Sequence, residues 1–201
     1  MLNPGEVLVW RVRLDETPAA VLPPLLAEQA ERAARFTSDE VRLRYIRSHA
    51  ILRAILGGLG LPDEYRSDER GKPYLPGLPD IHFSLSRSHS MALYAVADGV
   101  AVGADIERIR PLPEYEQIAE RFLPASAHLA LLEAPEATRE HEFFRAWTRQ
   151  EAALKALGIG LYGAGTERTG EWTFEDVDAG AGFAAAVAAR DAGWRVRVRD
   201  F

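Results

Sequence analysis

Element order repeats along this chain, and that repetition narrows the architectures open to it. A strand-like segment at 5–12 precedes helical patterning over 17–35 and a second helix over 39–57, and two strands follow at 81–86 and 91–97. The second half runs through the same order. It has a strand at 100–107, helical segments near 114–122 and 126–133, a long helix over 139–157, and strands near 171–177, 182–189 and 194–200. The letters of the two halves do not match; the sequence of elements does. The chain therefore reads as an α+β protein of two pseudo-repeated lobes, each an antiparallel sheet packed on a long helix. The expected division is an N-terminal lobe at 1–99 and a C-terminal lobe at 100–201, and two internal lobes favour a monomer.

At 201 residues, a hydrophobic content of 47% is enough to give each lobe a core. No apolar stretch approaches the ~18 residues of a membrane span, and the opening residues lack a basic region followed by a cleavage site. The expectation is a cytoplasmic protein without membrane attachment. Cysteine is absent, so disulfides and thiolate metal sites are excluded, and any metal must use oxygen or imidazole ligands. The formal charge of −6 argues against a nucleic-acid partner, which requires a basic face, but leaves room for a small anion in a local basic pocket. All but two of the 24 basic side chains are arginine, the exceptions being Lys72 and Lys155. Either they are survivors of an arginine bias, or each sits where a compact point charge suits one phosphate oxygen better than a planar fork.

Side chains alternate along the strand VAVGADIE, so Asp105 and Glu107 share one face while Ala104 and Ile106 take the other. Two carboxylates side by side repel, and a divalent cation such as Mg²⁺ resolves that; a strand end entering solvent beside Arg108 and Arg110 would also do so. Glu151 adds weight to the first reading. The apolar stripe of the helix FFRAWTRQEAALKALG runs through Phe144, Trp147 and Leu154, and Glu151 falls on it. A carboxylate pointing inward needs a cation, a proton or several donors, unless it is only stapled to Lys155 one turn later.

Taken in order, GKP at 71–73, FSLSRS at 83–88, GADIE at 103–107 and FFRAWTRQEAALKALGIGL at 143–161 resemble the two-lobed 4′-phosphopantetheinyl transferases that activate carrier proteins. The resemblance covers most of the chain and is consistent with its two lobes. It implies transfer of 4′-phosphopantetheine from coenzyme A to a serine of an apo acyl or peptidyl carrier protein, with release of 3′,5′-ADP. It further implies that Asp105, Glu107 and Glu151 hold Mg²⁺, that Glu151 is the candidate base, and that Lys155 neutralises charge on the leaving phosphate. Cofactor contacts would come from Lys72 and Pro73, from Ser86 and Arg87, and from Arg32 and Arg44. Two other readings remain open: a non-catalytic relative that binds coenzyme A or a carrier protein, and an unrelated Mg²⁺-dependent phosphoesterase.

The sequence departs from the family pattern at three places. Arg87 stands where the family usually has histidine, a change that keeps a positive phosphate donor and removes its pH dependence. Ser84 replaces an asparagine, and Gln150 replaces a lysine common before the glutamate. The remaining histidines show no ligand spacing, and His49 in particular reads as a core or surface residue.

Overall fold

In the computed structural model, which describes residues 2–3, 5–160, 172–190 and 193–201, the chain is a mixed α+β protein. Its strands are β1 (Glu6–Arg13), β2 (Arg66–Ser67), β3 (Pro73–Tyr74), β4 (Ile81–Ser88), β5 (Met91–Asp98), β6 (Val102–Arg108), β7 (Trp172–Asp176), β8 (Phe183–Arg190) and β9 (Arg195–Asp200). Its α-helices are α1 (Ala27–Ala34), α2 (Asp39–Gly58), α3 (Tyr115–Phe122), α4 (Ala125–Glu133) and α5 (Glu136–Leu157). The expected loop at 158–170 falls largely outside the described residues. Helical patterning over 17–35 resolves into a single 3-10 turn at Ala19–Val21 and the short α1. Pro23 and Pro24 lie between them, and neither can supply the amide hydrogen that a continuous helix needs. Ser38 caps α2, its hydroxyl accepting the Val41 amide at 3.4 Å.

Two main sheets form, in the orders β4-β5-β1-β9 and β6-β8-β7. Three strands of the first, β4-β5-β1, follow the same connectivity as β7-β8-β6 in the second. Both sheets are antiparallel except for one pairing: β9, from the end of the chain, lies parallel to β1. Residues 195–200 thus belong to the sheet built by the first half, a pairing that local patterning cannot announce because its partner is nearly the whole chain away.

Alternation along β1 and β6 sets the layers. Leu8, Trp10 and Val12 face α2 and meet Ile51, Leu52, Ile55 and Leu56, whereas Val7 and Val9 face the second sheet and meet Val102, Ala104 and Ile106. The order is α2, first sheet, second sheet, α5. With the apolar positions of β6 spent on the first sheet, Gly103, Asp105 and Glu107 must face α5. β5 is buried on both faces, which explains its unbroken apolar run MALYAVA.

Close approach of α5 to β6 depends on Gly103. A Cβ there would lie 1.9 Å from the Ala152 carbonyl oxygen and 2.6 Å from the Ala156 amide nitrogen, both backbone atoms of α5. Ala184 and Ala188 on β8 likewise present small side chains to the buried face of α5. Gly103→Ala should therefore destabilise the protein by at least about 2 kcal/mol in urea unfolding. Gly57→Ala, with no atom within 4 Å of the new Cβ, should be neutral or slightly stabilising. Equal midpoints for the two variants would refute the close helix–strand packing.

Candidate active site

β4 and β6 are edge strands of different sheets, and they run side by side in the same direction. Serine side chains bridge them. The Ser84 hydroxyl accepts the Ala104 amide at 3.0 Å, and the Ser88 hydroxyl accepts the Arg108 amide at 3.0 Å. Ser86 donates to Asp105 Oδ1 and Ser88 to Glu107 Oε2, both at 2.8 Å. The FSLSRS segment is thus the seam between the sheets, and the carboxylates of β6 are tied into it.

From the other side, α5 contributes Glu151 and Lys155. The Lys155 ammonium stands 2.6 Å from Asp105 Oδ1 and 2.9 Å from the Ser86 hydroxyl. Asp105 is only 3% exposed, and its second oxygen, Oδ2, is buried without a hydrogen-bond partner; Glu151 Oε1 is orphaned in the same way. Leaving a buried acceptor unsatisfied costs about 1–3 kcal/mol, and more if it is charged. Burial, followed by repulsion from Asp105, raises the pKa of both Glu107 and Glu151; Lys155 opposes the shift at each, and the Ser88 hydrogen bond opposes it at Glu107. Among the described residues no three acidic or histidine side chains form a ready-made cation cage. The cluster instead consists of mutually repelling carboxylates with two unpartnered oxygens, a donor set whose chemistry fits a hard divalent cation.

Arg87 lies on the opposite face of β4. It lines a cavity of about 350 Å³ together with Arg32, Arg70, Lys72, Pro73 and Lys155, over a floor that includes Tyr45, His49, Tyr65 and Phe83. The Arg87 guanidinium carbon is 5.2 Å from the Tyr45 ring centroid and 6.0 Å from that of Phe36. Lys155 borders this cavity as well as the carboxylates, so the two halves of the site adjoin at one ammonium group.

Among the sequence-predicted residues, Asp105, Glu107, Glu151, Lys155 and Ser86 are brought together at the seam, while Arg87, Lys72, Pro73 and Arg32 line the cavity. Ser86 is held by Asp105 and Lys155. The Lys72 ammonium donates to the Ala156 carbonyl in the last turn of α5, and its aliphatic stem runs close to Gly158. Burial lowers its pKa. Arg44 sits elsewhere: it is buried against Asp15, at 2.6 Å, and Glu40, and is not among the residues lining the cavity. Gln150 is 3% exposed, so it presents no surface to a partner.

Sequence reasoning missed Arg70, His49 and Tyr65. Arg70 adjoins the GKP turn and could have been drawn in by that proximity. His49 and Tyr65 carry no local signal, because only the tertiary fold brings His49 Nδ1 and the Tyr65 hydroxyl within 2.6 Å.

A family description, the 4′-phosphopantetheinyl transferase superfamily, matches residues 101–200, the half that carries the carboxylates. The transferase HetI of Nostoc sp. (strain PCC 7120) is 38% identical over 78% of this chain and 70% of its own length. The chain belongs to the 4′-phosphopantetheinyl transferase superfamily. Another relative, AcpT of Escherichia coli (strain K12), is 35% identical over 70% of this chain and 67% of its own. Sfp of Bacillus subtilis (strain 168) is 29% identical over 67% of this chain, which spans only 60% of that relative. The family resemblance drawn from the motifs is thus borne out.

Burial, then Arg87 and Arg32, hold the His49 imidazole neutral down to a pKa of about 4, against 6.5 for an exposed histidine. As pH falls through this window the unfolded chain takes up a proton that the folded chain refuses, so stability present above 6.5 is lost toward 4. That loss is on the order of 3 kcal/mol. In denaturant titrations at successive pH values, His49→Gln should show a correspondingly flatter decline than the parent. Parallel curves would show that His49 titrates normally.

Proposed function

We propose that this chain moves 4′-phosphopantetheine from coenzyme A to a serine of an apo acyl or peptidyl carrier protein, with Mg²⁺ as its metal. The observation that carries the proposal is the adjacency, across the two faces of β4, of a basic cavity and a carboxylate cluster that share Lys155. A cofactor bearing several phosphates needs the first, and a cation opposed to a pyrophosphate needs the second.

In this reading the carrier serine oxygen attacks the phosphorus next to pantetheine, the bond to the departing nucleotide breaks, and 3′,5′-ADP leaves. Catalysis of such a displacement rests on positioning and charge neutralisation. Arg87, Arg32 and Arg70 supply permanent positive charge in the cavity, with the aromatic floor beneath it. Lys155 lies where it can neutralise the leaving phosphate, because it is the one cation at both the cavity and the cluster among the described residues. Lys72 reaches a phosphate in this proposal only by giving up its bond to the Ala156 carbonyl. Glu151, with a pKa raised by burial and by Asp105, is the candidate acceptor of the serine proton. Asp105, Glu107 and Glu151 would hold Mg²⁺, which when bound supplies charge neutralisation at the pyrophosphate.

Arg87 in place of the family histidine does not by itself favour a non-catalytic relative, since the guanidinium occupies the cavity as a charged donor. No helix among the described residues is long and apolar enough to cross a membrane. We place the enzyme in the cytoplasm as a monomer without a nucleic-acid partner, on the grounds of its composition and its two sheets within one chain.

Intact-mass analysis of a panel of apo carrier proteins, incubated with the chain, coenzyme A and Mg²⁺, tests the reaction. At least one carrier should gain the mass of phosphopantetheine, with stoichiometric release of 3′,5′-ADP, and chelation of the metal should stop both. Release of nucleotide without any carrier would instead indicate a phosphoesterase.

A further inference from the structure

Ser88 ties two successive residues of β6, Glu107 and Arg108, to the seam. Its hydroxyl accepts the Arg108 amide at 3.0 Å and spends its single proton on Glu107 Oε2 at 2.8 Å. An incoming N–H fixes the oxygen, so the direction of the donated proton is fixed as well. Glu107 otherwise has reason to leave: it is partly buried beside Asp105, and Arg110 nearby offers an alternative partner. A glutamate side chain also carries about 1.5–2 kcal/mol of rotamer freedom that opposes holding it in one place.

We propose that Ser88 is a positioning residue that anchors the Glu107 carboxylate at the cluster, so that cation affinity on the second sheet depends on a hydroxyl supplied by the first. This inference rests on the proposed reading of Asp105, Glu107 and Glu151 as cation ligands. It adds a dependence between the sheets. The odd positions of β4, Phe83, Leu85 and Arg87, line the cofactor cavity, while Ser86 and Ser88 hold the acids of β6. One strand thereby sets both the phosphate-facing and the cation-facing side of the site. Groups that orient a metal ligand without touching the metal commonly alter affinity ten- to a hundredfold.

The test uses the whole chain without coenzyme A and reads Mn²⁺ binding by electron paramagnetic resonance, since Mn²⁺ accepts the same oxygen ligands. Ser88→Ala should weaken Mn²⁺ binding roughly tenfold or more. Ser88→Thr, which restores the hydroxyl, should return it to within about threefold of the parent. Introduced into Glu107→Ala, the alanine change should add nothing, because the group it positions is gone. Should Ser88→Ala fail to fold, Ser88→Cys keeps the shape with a poor donor and should show the same loss. Parent-like affinity in Ser88→Ala or Ser88→Cys, or an undiminished loss in the Glu107→Ala background, would overturn the positioning role alone. Absence of Mn²⁺ binding by the parent chain would overturn the cation reading and this inference with it.

Discussion

Serine hydroxyls joining β4 to β6 are the contact on which the rest of the site depends. Two sheet edges meet there without a backbone ladder between them. An exposed edge invites pairing with other chains, and a buried edge with no partners leaves polar groups unsatisfied. Ser84 and Ser88 answer part of that demand by accepting the Ala104 and Arg108 amides, and Ser86 and Ser88 turn their protons toward Asp105 and Glu107. Hydroxyls suit this position because each can accept from a backbone amide and donate to a carboxylate at once.

The seam also explains why the acids can be buried. Asp105, Glu107 and Glu151 are poor contributors to stability: burial and mutual repulsion disfavour the charged forms of Glu107 and Glu151, and two of the cluster's oxygens have no partner. Lys155 offsets part of this. Such an arrangement is uneconomical as a core and sensible as a place where positive charge arrives with a ligand. The adjoining cavity has the opposite imbalance, with Arg32, Arg70 and Arg87 gathered around it. A phosphate-bearing cofactor accompanied by a divalent cation would satisfy both at once.

Much of this was legible in the sequence. The period-two alternation of VAVGADIE put Asp105 and Glu107 on one face, and the helical stripe through Trp147 and Leu154 turned Glu151 inward. The structure retains both features because each is a local consequence of backbone geometry. The boundaries of α2 and α5 and the expected strands also emerge close to their sequence positions. What stayed hidden was non-local. No pattern near residue 195 reveals a parallel partner at β1. Arg44 has a local partner in Glu40, but its pairing with Asp15, 29 residues earlier in the chain, lies beyond the reach of local patterning. His49 reads as an ordinary helix residue until Tyr65 and Arg87 are folded against it.

In the proposed function the Arg87 face of β4 receives coenzyme A. Calorimetric titration of coenzyme A into the parent chain, Arg87→Ala and His89→Ala tests it most directly. His89 lies in the turn after β4 with a positive φ of 54° and is not among the cavity-lining residues. Loss of a charge-assisted phosphate contact should weaken binding roughly tenfold or more in Arg87→Ala, with His89→Ala close to the parent. Equal affinities for all three proteins, or a larger loss in His89→Ala, would contradict the assignment of this cavity to the cofactor.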